Sequence, residues 1–293
     1  MNKYMFVPDL QECDTDTTRS NSILYVARRI IEHVQSRGHE VVGSIKDADR
    51  LVVHAAKHPF PNEYGILHIH GLYPTSLGDQ WNDGHLRINK SLATAAQHAT
   101  ATIVPSQWVK RTFAREIGVD THVIGWGIDI DDHEYLPKKD SFLLWNKTRT
   151  NEICNPYPIE YLAQKLPKYK YVSTFANHPR VQAIGAMTRP RMTQVVRDSG
   201  IYLATTLETF GLATVEAMAF GKPVLGFKWG GTADIVRHGV DGYLANTGDF
   251  HDLSIGLEYV MDNYERLSLN ARRRAEEYTW DKCVQAVYEV YEG

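Results

Sequence analysis

Cysteine is scarce in this chain of 293 residues. Cys13, Cys154 and Cys283 are odd in number and far apart, so they make neither a disulfide framework nor a zinc spacing. A reducing, cytoplasmic compartment is the expectation. Long apolar runs are missing too: no stretch approaches the roughly 18 residues of a membrane-spanning helix. Charge of one sign is also lacking, since 32 Lys and Arg face 35 Asp and Glu for a net −3. That balance gives no general attraction to nucleic acid or to an anionic membrane. Internal repeats and low-complexity segments are absent, which removes solenoids and disordered tails. What remains is globular in composition, 43% apolar and 23% charged, and long enough for two domains. The opening run Met1–Val7, stopped by Pro8 and Asp9, is too short for a signal peptide and reads as a first β-strand.

Along the first half, strands alternate with amphipathic helices. Ser22–Arg37 carries Ile23, Ala27, Ile30 and Val34 on one helical face, and Gly38 stops it. Strands follow at Leu51–His54 and Ile66–His70, then a helix at Gly84–His98 and a strand at Ala101–Val104. Ser106 reads as the N-cap of the next helix, and Thr121–Ile124 as the last strand of this half. The alternation predicts an α/β architecture with parallel sheets. His68 and His70 fall on one face of their strand, and His70 sits at its tip, where a neutral imidazole can bond a hydroxyl. His54 and His58 are weaker candidates, and the histidines at 54, 58, 68, 70 and 85 show no tight metal spacing. Asp129, Asp131 and Asp132 look like a metal-binding Asp-x-Asp but follow a Gly-rich turn and read as a solvated linker.

The second half is organised around Thr205–Asp249. A short strand, Ile201–Ala204, runs into a loop holding Glu208, Phe210 and Gly211, then a helix at Leu212–Phe220. Gly221 ends that helix, Pro223 opens the strand Val224–Phe227, and Gly230-Gly231 leads into a further helix. Ligands of parallel sheets lie beyond the carboxyl ends of the strands. Gly211 permits close backbone approach, and the bare N–H groups near Gly211 and Leu212 can receive a diphosphate. Glu216, eight positions after Glu208, can accept both hydrogen bonds of a ribose diol, while Glu208 reaches another part of the same ligand. Upstream, Lys147 and Arg149 follow the strand Ser141–Trp145 and can neutralise a diphosphate. A helix at Pro158–Leu166 and strands at Tyr169–Thr174 and Val181–Gly185 come next; helices at Phe250–Asn263, Tyr264–Tyr278 and Trp280–Tyr291 close the chain.

Glu208-x7-Glu216 with Phe-Gly between, then Ala-Met-Ala-x-Gly-x-Pro-Val and Gly-Gly-x-x-Asp-Ile-Val-x-x-Gly-x-x-Gly-Tyr-Leu, resembles the family-4 retaining glycosyltransferases. The resemblance is most specific from Gly185 to Trp280. It implies the GT-B fold, two Rossmann-like doubly wound domains facing across a cleft. These would be an acceptor-side domain over 1–135, a nucleotide-sugar domain over 136–278 and a terminal helix over 279–293 crossing back. It implies that His70 and Glu208 orient the donor sugar, that Lys147 stands where relatives carry an arginine, and that Gly185 and Met187 meet the nucleobase. Phe210, Gly211, Leu212, Glu216 and Arg149 complete the implied donor site. Two family features are missing: a Gly-Gly pair after the first strand, where Leu10–Ser22 holds hydroxyls and Arg19 instead, and a Lys-Gly after Lys147.

The implied reaction moves a sugar from a nucleotide diphosphate sugar to a hydroxyl with retention, without metal or cofactor. Lys147, Arg149 and the helix N–H groups would stabilise the leaving diphosphate, which itself would take the acceptor proton. A saccharide or small molecule is the default acceptor; a hydroxylated nucleic-acid base is the alternative, on Lys110-Arg111, Lys138-Lys139, Arg189 and Arg191. A nucleotide-sugar 2-epimerase and a non-catalytic sugar-nucleotide-binding subunit are the rival readings of the same architecture.

Overall fold

The computed structural model describes residues 1–7, 22–54, 65–72, 83–151 and 153–293. Cys13, Arg19, the Leu10–Ser22 loop up to Asn21, His58 and the side chain of His85 lie outside the described residues. The chain divides into two compact units, Met1–Gly127 with Trp280–Gly293, and Ile128–Thr279. The division falls between Gly127 and Ile128, ahead of the expected boundary after 135. The local reason is that Ile128 is tied into the second unit: its N–H donates to the Tyr278 carbonyl at 2.8 Å, and it bridges Thr279.

The first unit holds a six-stranded parallel sheet of β1 (Lys3–Val7), β2 (Glu40–Val41), β3 (Arg50–His54), β4 (Gly65–His68), β5 (Ala101–Val104) and β6 (His122–Val123) in the order β2-β1-β3-β4-β5-β6. Its central strands are short runs buried along nearly their whole length, as strands covered by helices on both faces must be. Helices α1 (Ser22–Ser36), α2 (Asp83–His98) and α3 (Gln107–Glu116) supply the cover. Val26, Ala27, Ile30 and Val34 of α1 are buried, as are Leu92, Ala95 and Ala96 of α2. Ser106 caps α3 by accepting from the Val109 N–H at 3.3 Å. The helix Trp280–Glu292 joins this core with Trp280, Cys283, Val284, Val287, Tyr288 and Tyr291, a spacing that keeps one face inward. The Tyr291 ring lies 5.6 Å from that of Tyr4 in β1, and the Tyr288 hydroxyl donates to the His33 carbonyl of α1 at 3.3 Å.

The second unit holds β7 (Phe142–Trp145), β8 (Lys170–Ser173), β9 (Val181–Ala183), β10 (Ile201–Ala204), β11 (Val224–Phe227) and β12 (Gly242–Ala245), all parallel, in the order β12-β11-β10-β7-β8-β9. Helices α4 (Tyr157–Lys165), α5 (Arg189–Asp198), α6 (Leu212–Ala219), α7 (Thr232–Ile235), α8 (Phe250–Asp262) and α9 (Tyr264–Ala275) follow, with Trp280–Glu292 as α10. One core joins Leu143, Trp145, Leu203, Leu225 and Phe227 of the sheet to Ile159 and Leu162 of α4 and Leu253 and Leu257 of α8. The helix expected after Gly230-Gly231 is a single turn, because Val236 already returns to extended backbone.

Chain order fixes where a ligand can enter. From β7 the chain proceeds to β8 and β9 on one side, and from β10 to β11 and β12 on the other, while β7 and β10 pair directly through Leu143–Ile201 and Leu144–Tyr202. Connections leave this point in opposite directions, so a crevice opens beyond the carboxyl ends of β7 and β10.

Candidate functional site

The loop after β10 reaches this crevice and is held by two glycines from the loop after β11. Gly231 donates its N–H to the Glu208 carbonyl at 2.8 Å, and a Cβ on it would stand 2.3 Å from the Phe210 carbonyl oxygen. Gly230 has φ +55°, and a Cβ there would stand 2.5 Å from the Glu208 carbonyl. The Gly-Gly pair is therefore a seat for the segment 208–210, which any side chain would push outward. Phe210 is buried against Tyr278, and Gly211 turns the chain at φ +115° into α6. That left-handed turn leaves the first N–H groups of α6, on Leu212 and Ala213, without an acceptor among the described residues.

Beyond β7, Asn146 and Lys147 face the same loop. The Lys147 ammonium pairs with the Glu208 carboxylate at 2.8 Å, with the lysine side chain 12% exposed. Burial works to lower its pKa, but Glu208 outweighs it and holds the ammonium above its ordinary value, so Lys147 stays charged. The Lys147 backbone N–H donates to Thr174 Oγ1 at 2.8 Å, and the Thr174 carbonyl accepts from the Gly185 N–H at 3.0 Å. Thr174 thus ties the turn at Lys147 to the turn at Gly185, where φ is +74°. Met187, half-buried, follows that turn just before α5. Arg149 is exposed and hydrogen-bonds Cys154, whose thiol burial pushes up.

Glu216 is turned inward, its side chain 18% exposed. Burial raises its pKa against the opposing pull of Arg189 and His133. The Arg189 guanidinium, from the first turn of α5, is paired with it. Tyr202 sits among these groups: its hydroxyl donates to Asn146 Oδ1 at 2.7 Å and lies within electrostatic reach of Lys147, Glu208 and Glu216. One crevice therefore collects Lys147, Glu208, Gly211, Leu212 and Glu216, with Gly185 tied to it through Thr174.

His70 belongs to the first unit. The expected strand Ile66–His70 ends at His68, and Ile69 continues only one bond further, to the Ile103 carbonyl at 2.9 Å. His70 therefore lies two residues past the strand, where its ring stacks on Trp126 with centroids 4.9 Å apart. Its Nε2 meets Nδ1 of His54 at 2.8 Å.

Sequence reasoning missed Thr174, Tyr202, the pairing of Arg189 with Glu216, and the engagement of His54. A signal existed for two of them: Thr174 and Tyr202 stand at the ends of β8 and in β10, the strands flanking the crevice. Asp129, Asp131 and Asp132 form or flank a single 3-10 turn, and no group of three or more His, Cys, Asp or Glu is placed to hold a metal among the described residues. No described helix is long and apolar enough to cross a membrane.

Residues 167–279, which carry most of this crevice, match the model of the family described as glycosyl transferases group 1. An uncharacterized glycosyltransferase of Methanocaldococcus jannaschii is 30% identical over 131 residues, 42% of this chain and 37% of that protein. A D-inositol 3-phosphate glycosyltransferase of Geodermatophilus obscurus is 37% identical over 84 residues, 29% of this chain and 19% of that one. The matched stretches thus span well under half the length of these relatives. Among solved structures, Anabaena HepE in complex with UDP and glucose superposes over all of both chains with a TM-score of 0.72 at 18% identity. Sucrose-phosphate synthase from Thermosynechococcus elongatus covers 100% of this chain with 98% of its own, at a TM-score of 0.76 and 12% identity. The fold is that of the GT-B α/β proteins.

Proposed function

We propose that the chain is a metal-independent retaining glycosyltransferase that moves a sugar from a nucleotide diphosphate sugar to a hydroxyl acceptor. One observation carries the reading: at the switch point of the second sheet, an inward carboxylate, a bare helix start and a charged lysine converge. A ribosyl diphosphate needs those three things. Glu216 takes the ribose hydroxyls as a charge-assisted acceptor, and the Leu212 and Ala213 N–H groups take the diphosphate. As the bond to the sugar breaks, negative charge grows on the leaving diphosphate, and Lys147 stabilises it with Arg149 in support. Glu208 and His70 orient the sugar, and Gly185 and Met187 meet the base with backbone groups. The leaving phosphate takes the proton of the acceptor hydroxyl, so no enzyme carboxylate is required as nucleophile.

Uridine is the first base to test, because HepE was solved with UDP-glucose. A saccharide or small-molecule hydroxyl is the default acceptor. UDP, GDP, ADP and their sugars are titrated against the chain by thermal shift, in which a ligand of the native state raises the midpoint by mass action. One nucleotide diphosphate is expected to stabilise the chain, and Glu216→Gln to weaken that binding roughly 10- to 100-fold, about 1.5–3 kcal/mol for a hydrogen bond to a charged group. No shift with any of them, or equal affinity in Glu216→Gln, defeats the reading. Conversion of a sugar nucleotide to its 2-epimer without acceptor would point to the epimerase instead.

A further inference from the structure

Strands β3 and β4 of the first unit end side by side in His54 and His68, which are 1% and 0% exposed. Their rings stack with centroids 4.4 Å apart. His70 Nε2 lies 2.8 Å from His54 Nδ1, and Trp126 stacks on the His70 ring with an interplanar angle of 18°. His68 Nε2 meets the Tyr291 hydroxyl at 2.8 Å. His54 Nε2 and His68 Nδ1 are buried with no hydrogen-bond partner among the described residues.

A contact of 2.8 Å between two ring nitrogens holds one proton. Two lone pairs would repel, and so would two N–H groups. The tautomers of His54 and His70 are therefore linked, and two arrangements exist for neutral rings. In one, His70 donates from Nε2 and His54 accepts at Nδ1. The proton of His54 must then sit on Nε2, a buried N–H with no acceptor, and such orphans are rare because they forfeit a hydrogen bond outright. In the other, His54 donates from Nδ1 and leaves only a bare lone pair on Nε2. The N–H of His54 is then used. His68 obeys the same accounting: with Nδ1 bare, its Nε2–H donates to Tyr291.

We propose that His54 is a positioning residue, which donates Nδ1–H to Nε2 of His70 and so fixes His70 as the Nδ1–H tautomer. The lone pair that a general base would use is already occupied. Whatever His70 meets beyond His54, it meets as a hydrogen-bond donor. On the reading given under Proposed function, from which this consequence takes its substrate, His70 recognises an oxygen of the transferred sugar and takes no proton from the acceptor. Protonation of His70 would set two N–H groups against each other across the 2.8 Å contact. Burial pushes all three imidazoles below their ordinary range, with the neighbouring rings adding to the effect at His54 and His68.

Two-bond proton–nitrogen correlation spectra of the full chain, labelled with ¹⁵N-histidine, read the tautomer directly and need no ligand. The wild-type chain is expected to show His70 as neutral Nδ1–H, unchanged between about pH 5 and pH 8, a window around the ordinary imidazole pKa. His54→Leu removes the donor, so His70 is expected to move to the Nε2–H form while staying neutral across that window, because burial alone holds its pKa down. His54→Asn, which keeps an N–H near the position of Nδ1, is expected to restore the wild-type pattern. An Nε2–H His70 in the wild-type chain overturns the proposal even if the variants fail to fold, and so does a folded His54→Leu with an unchanged tautomer. Sugar transfer separates the two layers. If the spectra are as expected but no nucleotide sugar is turned over, the lock stands and the functional reading falls. If both hold, kcat falls in His54→Leu and returns in His54→Asn, with donor KM changing less than kcat.

Discussion

Lys147 shows how a charge can be legible in sequence while its use is not. A cation after an apolar strand was expected, and the structure adds that it stands at the switch point with Glu208 at 2.8 Å. The partner came from the loop after β10, sixty-one positions on, a pairing no local pattern encodes. Because the lysine is charged and largely buried, its removal takes away charge stabilisation where a leaving diphosphate would need it. Lys147→Met is expected to lower kcat for sugar transfer about 10²–10³-fold, the loss typical of one electrostatic stabiliser, while donor KM moves less. Steady-state turnover of a nucleotide sugar checks this, and an unchanged kcat would remove Lys147 from the chemistry. Glu216 was likewise visible as a carboxylate on the first turns of a helix. Its guanidinium partner was not, because Arg189 read as part of a basic surface patch.

At the scale of elements, most boundaries were readable within a residue or two, because alternating apolar runs and Gly or Pro stops are local signals. The exceptions have tertiary causes. The β4 ladder stops at His68, and His70 beyond it is held by side-chain contacts with His54 and Trp126. The turn α7 is short because Val236 already returns to extended backbone, while Gly230 and Gly231 ahead of it serve the neighbouring loop. Gly231→Ala is expected to cost about 1–3 kcal/mol, in the range of overpacked sites, since its Cβ would overlap the Phe210 carbonyl and nothing in the 208–211 loop yields without moving Gly211. Gly43→Ala, where a Cβ meets nothing within 4 Å, is the control and should leave stability within about 0.5 kcal/mol. Denaturant midpoints of the two variants make the comparison, and equal midpoints would mean that the Gly-Gly seat is not tight.

Over the whole molecule, the buried imidazoles set a pH dependence. His54, His68 and His70 ionise in the folded chain well below 6.5, His70 at about 3. Unfolding exposes them, so between the folded and unfolded values the unfolded state binds more protons. Stability of the first unit is therefore complete above about pH 6.5 and falls as the pH drops towards 3, by about 1.4 kcal/mol per pH unit for each proton taken up. Hydrogen exchange resolved by peptide, corrected for the intrinsic rate, should show β3 and β4 losing protection from pH 7 to pH 5. Protection that stays constant there would mean the rings are not buried neutral. The parallel α/β plan of both units was foreseeable from the alternation of strands and helices, whereas the contacts that hold the passage from one to the other were not. Ile128 looks like a continuation of the Gly-rich turn and is fixed by Tyr278 and Thr279, more than a hundred residues away.

The helix Trp280–Glu292 packs its Tyr291 against Tyr4 and His68, so the unit that starts first along the chain is completed last. A ribosome delivers β1 to β6 early, yet the tyrosine that meets this histidine emerges only after all of Ile128–Thr279 has been made. Synthesis from the amino end ordinarily lets leading domains mature ahead of trailing ones. Here the order is inverted: the trailing unit has its whole core to hand first, and the leading one waits, with an unfilled side, until Trp280–Glu292 has been made.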